Sequence, residues 1–483
     1  MQTAIEQKIP LMAKQDMVFL RRLIPVVVVP AILLLMPAPE GLNIMAWRLF
    51  AVYVGAILGL VIQPFSEPVV MLIALGICGV TLKNGSVILQ GYANGTTWLV
   101  FSAVLISIAF VETGLGKRIA FHLIRMIGRT TLGLGYAGSL LDYLLAPGIP
   151  SSTARAAGIT YPILRSVAVA LDSEPGPSAA RIGKYLSLLT YAVSATTSYA
   201  FLTAFAPNFL ALKLTTEVLG ITIDWMTWFK AALVPSLIMM IATPWVLYKL
   251  YPPEIKTLDN KKVAADGLAA MGPMKRAEKL LIVFFLLALL GWMFSDRFGI
   301  GATSVAIAAI AACLATRVMT WDQITASKGA LTTLVWYGAI IGLAGSLGKA
   351  GFFTWLSQYI KANMDLSGYS SLTVLVVLLV VNIPVRYLFA SGAAYALAMI
   401  PVFLAVGLAA GVPLLPLGLA FCFSLSYGGL TTHYGLGQGP VIFAINYVSL
   451  KEWWLFGTVL MVMHLVVNVC IGFPYWRMLG YWQ

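Results

Sequence analysis

The sequence predicts an all-α polytopic membrane protein, and three observations carry that prediction. Of 483 residues, 60% are hydrophobic and only 10% charged, with a mean hydropathy of +0.90; a soluble domain carries about a quarter of its residues as charges. Apolar runs close to the ~20 residues that cross a bilayer's hydrocarbon core recur along the chain. Polar and helix-breaking residues are concentrated at a few places inside those runs, notably Pro150-Ser151-Ser152-Thr153-Ala154-Arg155 and Ala390-Ser391-Gly392.

Taken in order, residues 1–22 are expected to form a cytoplasmic N-terminus, of which Met1 to Lys14 is polar and shows neither the apolar core nor the cleavage site of a signal peptide. Spans are expected at about 23–37, 45–62, 69–83 and 97–113, then a basic amphipathic stretch at 117–129 lying on the membrane surface. Residues 132–165 read as a re-entrant hairpin, because the apolar runs on either side of Ser151 are each too short to cross. Non-helical backbone at that depth is tolerated only where protein covers it or water fills a cavity, so a cavity is expected at 151–155. A broken helix at about 185–212 and a span at 228–250 complete the first repeat, 23–250.

Residues 251–279 form the longest polar segment and read as a cytoplasmic linker. The second repeat, 280–483, offers spans at about 280–295, 302–316 and 331–347, a hairpin at 370–408, a broken helix at 415–448 and a last span at 454–476. The expectation is thus eleven spans plus two hairpins. The net charge of +13 follows from basic clusters that all fall on one side in this order, which places the N-terminus in the cytoplasm and the C-terminus outside. The hairpins then enter from opposite faces, as inverted repeats produce. Internal likeness supports duplication: Ser151 and Ser391 are 240 residues apart, and Thr197 and Thr432 are 235 apart.

The polar interruptions hold the candidate site. Ser151, Ser152, Thr153 and Arg155 come from the first tip, and Ser391 and Gly392 from the second. Thr197 and Ser198 come from the first broken helix, and Thr431, Thr432 and His433 from the second. Pro207 and Pro440 suit the first turn of the half-helix after each break, where the missing amide hydrogen costs nothing. Half-helix N-termini present free amides and a positive dipole end. Such a cavity suits a small organic anion.

Alternatives stand beside each reading. Ser and Thr in membrane helices often bond only their own backbone, and small residues often only allow close packing. An arginine at membrane depth costs roughly 2.5 to 3.5 kcal/mol and needs a partner; Arg155 either meets substrate or forms a structural ion pair with Asp142. Asp142 or Glu112 could also carry protons. Arg386 is expected to snorkel to the outer surface. His433 is a donor to a carboxylate, a proton carrier or a structural residue, and His122 and His464 have no supporting company in the sequence. Cys78, Cys313, Cys422 and Cys470 are unpaired in spacing and read as small buried hydrophobes. No metal constellation, phosphate loop or nucleophile elbow is present. An intramembrane hydrolase using Ser152 or Cys422 with His433, or an anion channel, is a remote alternative.

Several motifs resemble one known family in the right order. These are Leu145-Ala146-Pro147, the run from Pro150 to Gly158 with Tyr161-Pro162-Ile163, Arg386-Tyr387-Leu388-Phe389-Ala390-Ser391, and Gly429-Leu430-Thr431-Thr432-His433-Tyr434-Gly435 with Gly439-Pro440-Val441. The chain resembles the divalent anion/sodium symporter family. It is most similar to the branch of bacterial citrate, succinate and tartrate exchangers and plastid 2-oxoglutarate/malate translocators. The resemblance implies a homodimer in a bacterial inner membrane, with a fixed scaffold and an elevator-type transport domain carrying both hairpins and both broken helices. It also implies substrate carboxylates at the tips, with sodium beside them in symporting relatives. Here the first tip has Ser152 where the family signature has asparagine, and the second keeps only Ser391. A residual sodium site would lie near Ser151 and Thr196. The expectation is exchange of di- or tricarboxylates such as 2-oxoglutarate, malate, succinate or citrate, with fixed positive charge at Arg155 and His433 standing in for sodium, the Arg155 charge favouring exchange, and no cofactor. The alternative is sodium- or proton-coupled symport of the same substrates.

Overall fold

The reason the chain becomes a set of helices is its solvent: in hydrocarbon every backbone amide and carbonyl must be paired within the segment or covered by protein. A computed structural model describes residues 8–82, 89–364 and 368–482. It is helical throughout these residues apart from short connections. Among the described residues, eight helices are long and apolar enough to cross a membrane, and three shorter apolar ones cover 67–80, 302–315 and 371–386. One of the eight, Gly392–Ala409, is a hairpin arm.

The first half runs α1 (Lys8–Leu35), α2 (Ile44–Ile62), α3 (Glu67–Leu82) and α4 (Gly95–Thr113). Asn94 starts α4 by accepting from the Thr96 amide. Gly114, at φ +75°, ends it and turns the chain directly into α5 (Leu115–Ile127). This is the basic amphipathic stretch, with Arg118 buried on its inner face. The hairpin follows as α6 (Thr131–Leu145), an irregular tip, a π-helical stretch Thr153–Thr160 and α7 (Tyr161–Ala170). At about 1.5 Å per residue, α6 reaches only ~22 Å, short of the ~30 Å hydrocarbon core. Next come α8 (Gly183–Ala200), a break at 201–205, α9 (Ala206–Leu219) and α10 (Trp225–Leu250).

The second half repeats the order. After α11 (Asn260–Met271), α12 (Arg276–Met293) and α13 (Ala302–Ala315), α14 (Lys328–Lys349) leads to Gly351 at φ +86° and to α15 (Phe352–Asn363). Gly114 and Gly351 thus make the same left-handed turn from a span into a helix. Then α16 (Ser371–Arg386) and α17 (Gly392–Ala409) form the second hairpin. The second broken helix is α18 (Leu414–Tyr427), a break at 428–437 and α19 (Gln438–Phe443), and the chain closes with α20 (Leu450–Val467) and α21 (Phe473–Met478).

Two elements depart from expectation. The linker is not all irregular: Asp259 caps α11 through the Lys262 amide. The sequence also gave no sign of α15, whose apolar and polar residues were too mixed to suggest a span. The linker is tied to the first half. Arg118 pairs with Glu278 at 2.5 Å and also donates to Gly272 O, while Asn260 Nδ2 donates to the last carbonyls of α5, Ile124 O and Arg125 O. The Thr131 and Ile255 amides donate to Lys256 O and Arg181 O. The basic segments at 117–129, 165–184 and 249–279 therefore gather at one end of the molecule. Cys470 is exposed, unlike the other three cysteines, correcting the expectation that all four are buried.

The core lies where α8 and α18 meet. All but one residue of α8 and the last twelve of α18 are buried. The hydroxyls of Ser194, Thr196, Thr197, Ser198, Ser424 and Ser426 therefore face protein, which is what makes them tolerable at this depth.

Candidate functional site

Each break in a membrane helix frees carbonyls that need donors, and each tip supplies an arginine. At the first tip Arg155 is fully buried. Its Nη1 donates to Ile149 O of its own hairpin (2.7 Å) and to Ala204 O in the first break (2.8 Å). Its Nη2 donates to Thr197 Oγ1 and Ser198 Oγ, and its Nε to Asp142 Oδ1 at 3.1 Å. Thr197 Oγ1 in turn donates to Asp142 Oδ2. All five N–H groups of Arg155 are thus taken up by protein oxygens, and the pair with Asp142 is neutral. The ion pair with Asp142 is present. The cavity expected at 151–155 does not extend to it: of the polar tip residues, Ser152 and Arg155 are buried and only Ser151 and Thr153 keep exposure.

Arg386 does the same at the second tip, with one difference. It is 1% exposed, not at the surface, so the expectation of snorkelling is corrected. Nη1 donates to Phe389 O of its own hairpin (2.7 Å) and Nη2 to Gly435 O in the second break. The guanidinium lies over the Tyr395 ring, 5.1 Å from its centroid, and Tyr395 in turn donates to Asn382. Arg386 Nε has no partner, and no carboxylate pairs with Arg386 among the described residues. The two arginines serve matching carbonyls; only one is neutralised.

The remaining freed carbonyls are also met. Asn208 Nδ2 donates to Ser198 O (2.7 Å) and, at 3.3 and 3.4 Å, to Phe201 O and Leu202 O. Tyr191 Oη lies 2.8 Å from both Gly429 O and Thr432 O. Each break touches both tips. The Ala206 amide donates to Pro150 O, and a Cβ on Gly392 would stand 3.3 Å from the Phe205 ring. A Cβ on Gly437 would stand 2.5 Å from Thr153 Oγ1, and Gln438 accepts from Ser152 Oγ at 2.9 Å.

The geometry therefore brings together Ser151, Ser152, Thr153, Arg155 and Asp142 with Thr197 and Ser198, and sets Gly392 against the first break. Ser391 Oγ accepts from the Ala394 amide and so starts α17, as Ser151 Oγ does for Ala154. Thr431 and Thr432 are buried at the second break, Thr431 Oγ1 on Gly428 O. Two residues turn elsewhere. His433 is half-buried against Phe443, and its Nδ1 lies 3.4 Å from Trp454 Nε1. Thr196 Oγ1 meets His464 Nε2 at 3.2 Å. The view of His464 as unsupported is corrected: it is buried, stacked on Tyr427 (5.3 Å, 2°), and its Nδ1 is 3.4 Å from Tyr199 Oη. Sequence reasoning gave no site role to Arg386, Tyr191, Asn208, Gln438 or His464. Only Gln438 and Asn208 carried a signal, as polar residues inside the breaks.

A separate cavity of about 500 Å³ reaches the first break at Leu202, between Thr96, Leu99 and 299–302 on one side and Phe209, Leu212 and Trp225 on the other. Chemically, the tips and breaks combine an unneutralised cation with hydroxyls on Ser151, Thr153 and Ser391 and the N-terminus of α17. That set favours an anion.

The family described as "Sodium:sulfate symporter transmembrane region" matches residues 17–482. The chain belongs to this family, the divalent anion/sodium symporters. It is 50% identical over 469 residues to the inner membrane protein YbhI of Escherichia coli K12, covering 96% of this chain and 98% of that one. It is 34% identical over 477 residues to the L-tartrate/succinate antiporter of the same organism, covering 94% and 96%. The fold is similar to the crystal structure of the Alcanivorax borkumensis YdaH transporter, with a TM-score of 0.53 at 13% identity over 96% of this chain and 98% of that one. The protein is a multi-span carrier and not an enzyme.

Proposed function

We propose that this symporter-family member exchanges dicarboxylates across a bacterial inner membrane, and that Arg386 supplies the fixed charge balancing the bound anion. The observation that carries the reading is a buried arginine with an unpartnered Nε and no carboxylate, placed between the second tip and the second break. A buried cation without an anion is costly, and a substrate carboxylate beside it relieves that cost. The role first expected of Arg155 moves to Arg386, because Asp142 already balances Arg155.

Fixed charge favours exchange. A mobile sodium ion can leave with the substrate, so an empty sodium-coupled carrier returns uncharged. Arg386 cannot leave, so the empty transport domain would carry an uncompensated cation across the bilayer, and the loaded one would not. Ser151, Ser152, Thr153, Ser391, Gly392, Thr197, Ser198, Thr431 and Thr432 then form the walls that meet the substrate or hold its contacts in place. The relative that exchanges tartrate and succinate supports both the antiport and the dicarboxylate class. The matching order of elements in the two halves supports inverted repeats; an elevator motion of both hairpins and broken helices against α2, α4 and α14, in a homodimer, is part of this proposal and rests on the family likeness. The basic end of the molecule is cytoplasmic in this reading.

A second reading has one observation in its favour: the family's own description names sodium and sulfate. Uptake of labelled succinate into succinate-loaded proteoliposomes separates the two. Malate, 2-oxoglutarate and succinate are expected to compete and sulfate not to. Competition by sulfate together with a sodium requirement would replace the exchange reading by the second.

A further inference from the structure

Gln438, itself in the second broken helix, joins the first tip to the first broken helix through its side chain. It is fully buried at the start of α19. Its Oε1 accepts from Ser152 Oγ at 2.9 Å, and its Nε2 donates to Ser194 Oγ of α8. Ser194 Oγ then donates to Tyr191 O, and the Tyr191 hydroxyl bridges Gly429 O and Thr432 O back in the second break. The first tip, α8 and the second break are thus linked through one run of hydrogen bonds and backbone. An amide has one end that accepts and one that donates, so it fixes the direction of both serine hydroxyls at once. The adjoining Gly437 leaves Thr153 Oγ1 the space that a side chain would fill.

We propose that Gln438 is a positioning residue that holds the first tip at binding distance, so that Ser151 and Thr153 meet the substrate without paying an ordering cost at each cycle. The inference rests on the carboxylate-exchange reading of the site. Ser152, whose hydroxyl donates to Gln438 Oε1, acts through Gln438 in this arrangement. A site whose walls are held before binding loses affinity when the support is removed, while its maximal rate is kept.

The test is succinate exchange in proteoliposomes by Gln438→Met, Ser152→Ala and the double variant. Each single change is expected to raise KM about tenfold, the scale of one lost buried hydrogen bond, with the maximal rate within about twofold and no further rise in the double variant. A fall in maximal rate at unchanged KM, or rises that multiply, would overturn the proposal. A second readout does not depend on succinate being carried. In a Cys470→Ser background, Ser151→Cys is labelled by a membrane-impermeant maleimide, and Gln438→Met is expected to speed that labelling several-fold. An unchanged labelling rate overturns the positioning role, whereas a wild-type protein that carries no carboxylate overturns only the functional reading. If Gln438→Met does not fold, Gln438→Asn keeps the amide but shortens its reach, and the same two outcomes apply.

Discussion

Arg155 and Arg386 are both buried, both donate to a carbonyl of their own hairpin and both donate to a carbonyl of a break, yet they should respond differently to removal. Arg155→Met strands the Asp142 carboxylate in the interior, which costs about 3 to 5 kcal/mol; its unfolding temperature in detergent should fall sharply. Adding Asp142→Leu should recover most of that fall, because the pair is then replaced by apolar atoms. Loss without recovery would mean that Arg155 holds something other than Asp142. Arg386→Gln removes a cation with no carboxylate partner and its bonds to Phe389 O and Gly435 O, so stability should fall by only about 1 to 3 kcal/mol while KM for succinate rises on the order of a hundredfold, the scale of a truncated buried charge pair. A stability loss as large as that of Arg155→Met, with KM unchanged, would make Arg386 structural.

At the scale of elements, the breaks are held open by side chains that replace lost helix donors. Asn208 covers three carbonyls at the first break, so Asn208→Leu should destabilise the protein by about 1 to 3 kcal/mol, read from its unfolding temperature. Gly351 carries the turn from α14 into α15 at φ +86°, and Gly351→Ala should cost about 1 to 2 kcal/mol in the same assay. The positions of the hairpins and breaks were legible because each is short and polar inside an apolar context, and Pro and Gly mark its ends. The α15 helix was not legible, since its residues show neither a spanning length nor a strong basic face like that of α5. Arg386 was misplaced for a physical reason. Its sequence neighbours are apolar and it lies near a helix end, as a snorkelling arginine does, and what buries it is the 428–437 break and Tyr395. His464 and Gln438 share that difficulty, because their partners Thr196, Tyr199, Ser152 and Ser194 are more than 250 residues away for His464 and more than 240 for Gln438.

For the whole molecule, the account joins a family membership to a charge argument. The apolar composition and basic asymmetry were enough to read a polytopic membrane protein, and the motifs at both tips were enough to read its family. Which arginine carries net charge required the folded chain, because Asp142 and Arg155 are thirteen residues apart and only the hairpin geometry brings them to 3.1 Å. The most direct test of the central claim is uptake of labelled succinate into proteoliposomes that are empty or preloaded with succinate, each with and without an inward sodium gradient. A carrier whose fixed cation at Arg386 needs an anion for every crossing should take up label only into loaded vesicles and should be indifferent to sodium. Uptake into empty vesicles driven by sodium would contradict it, because the empty carrier would then be returning with its charge uncompensated.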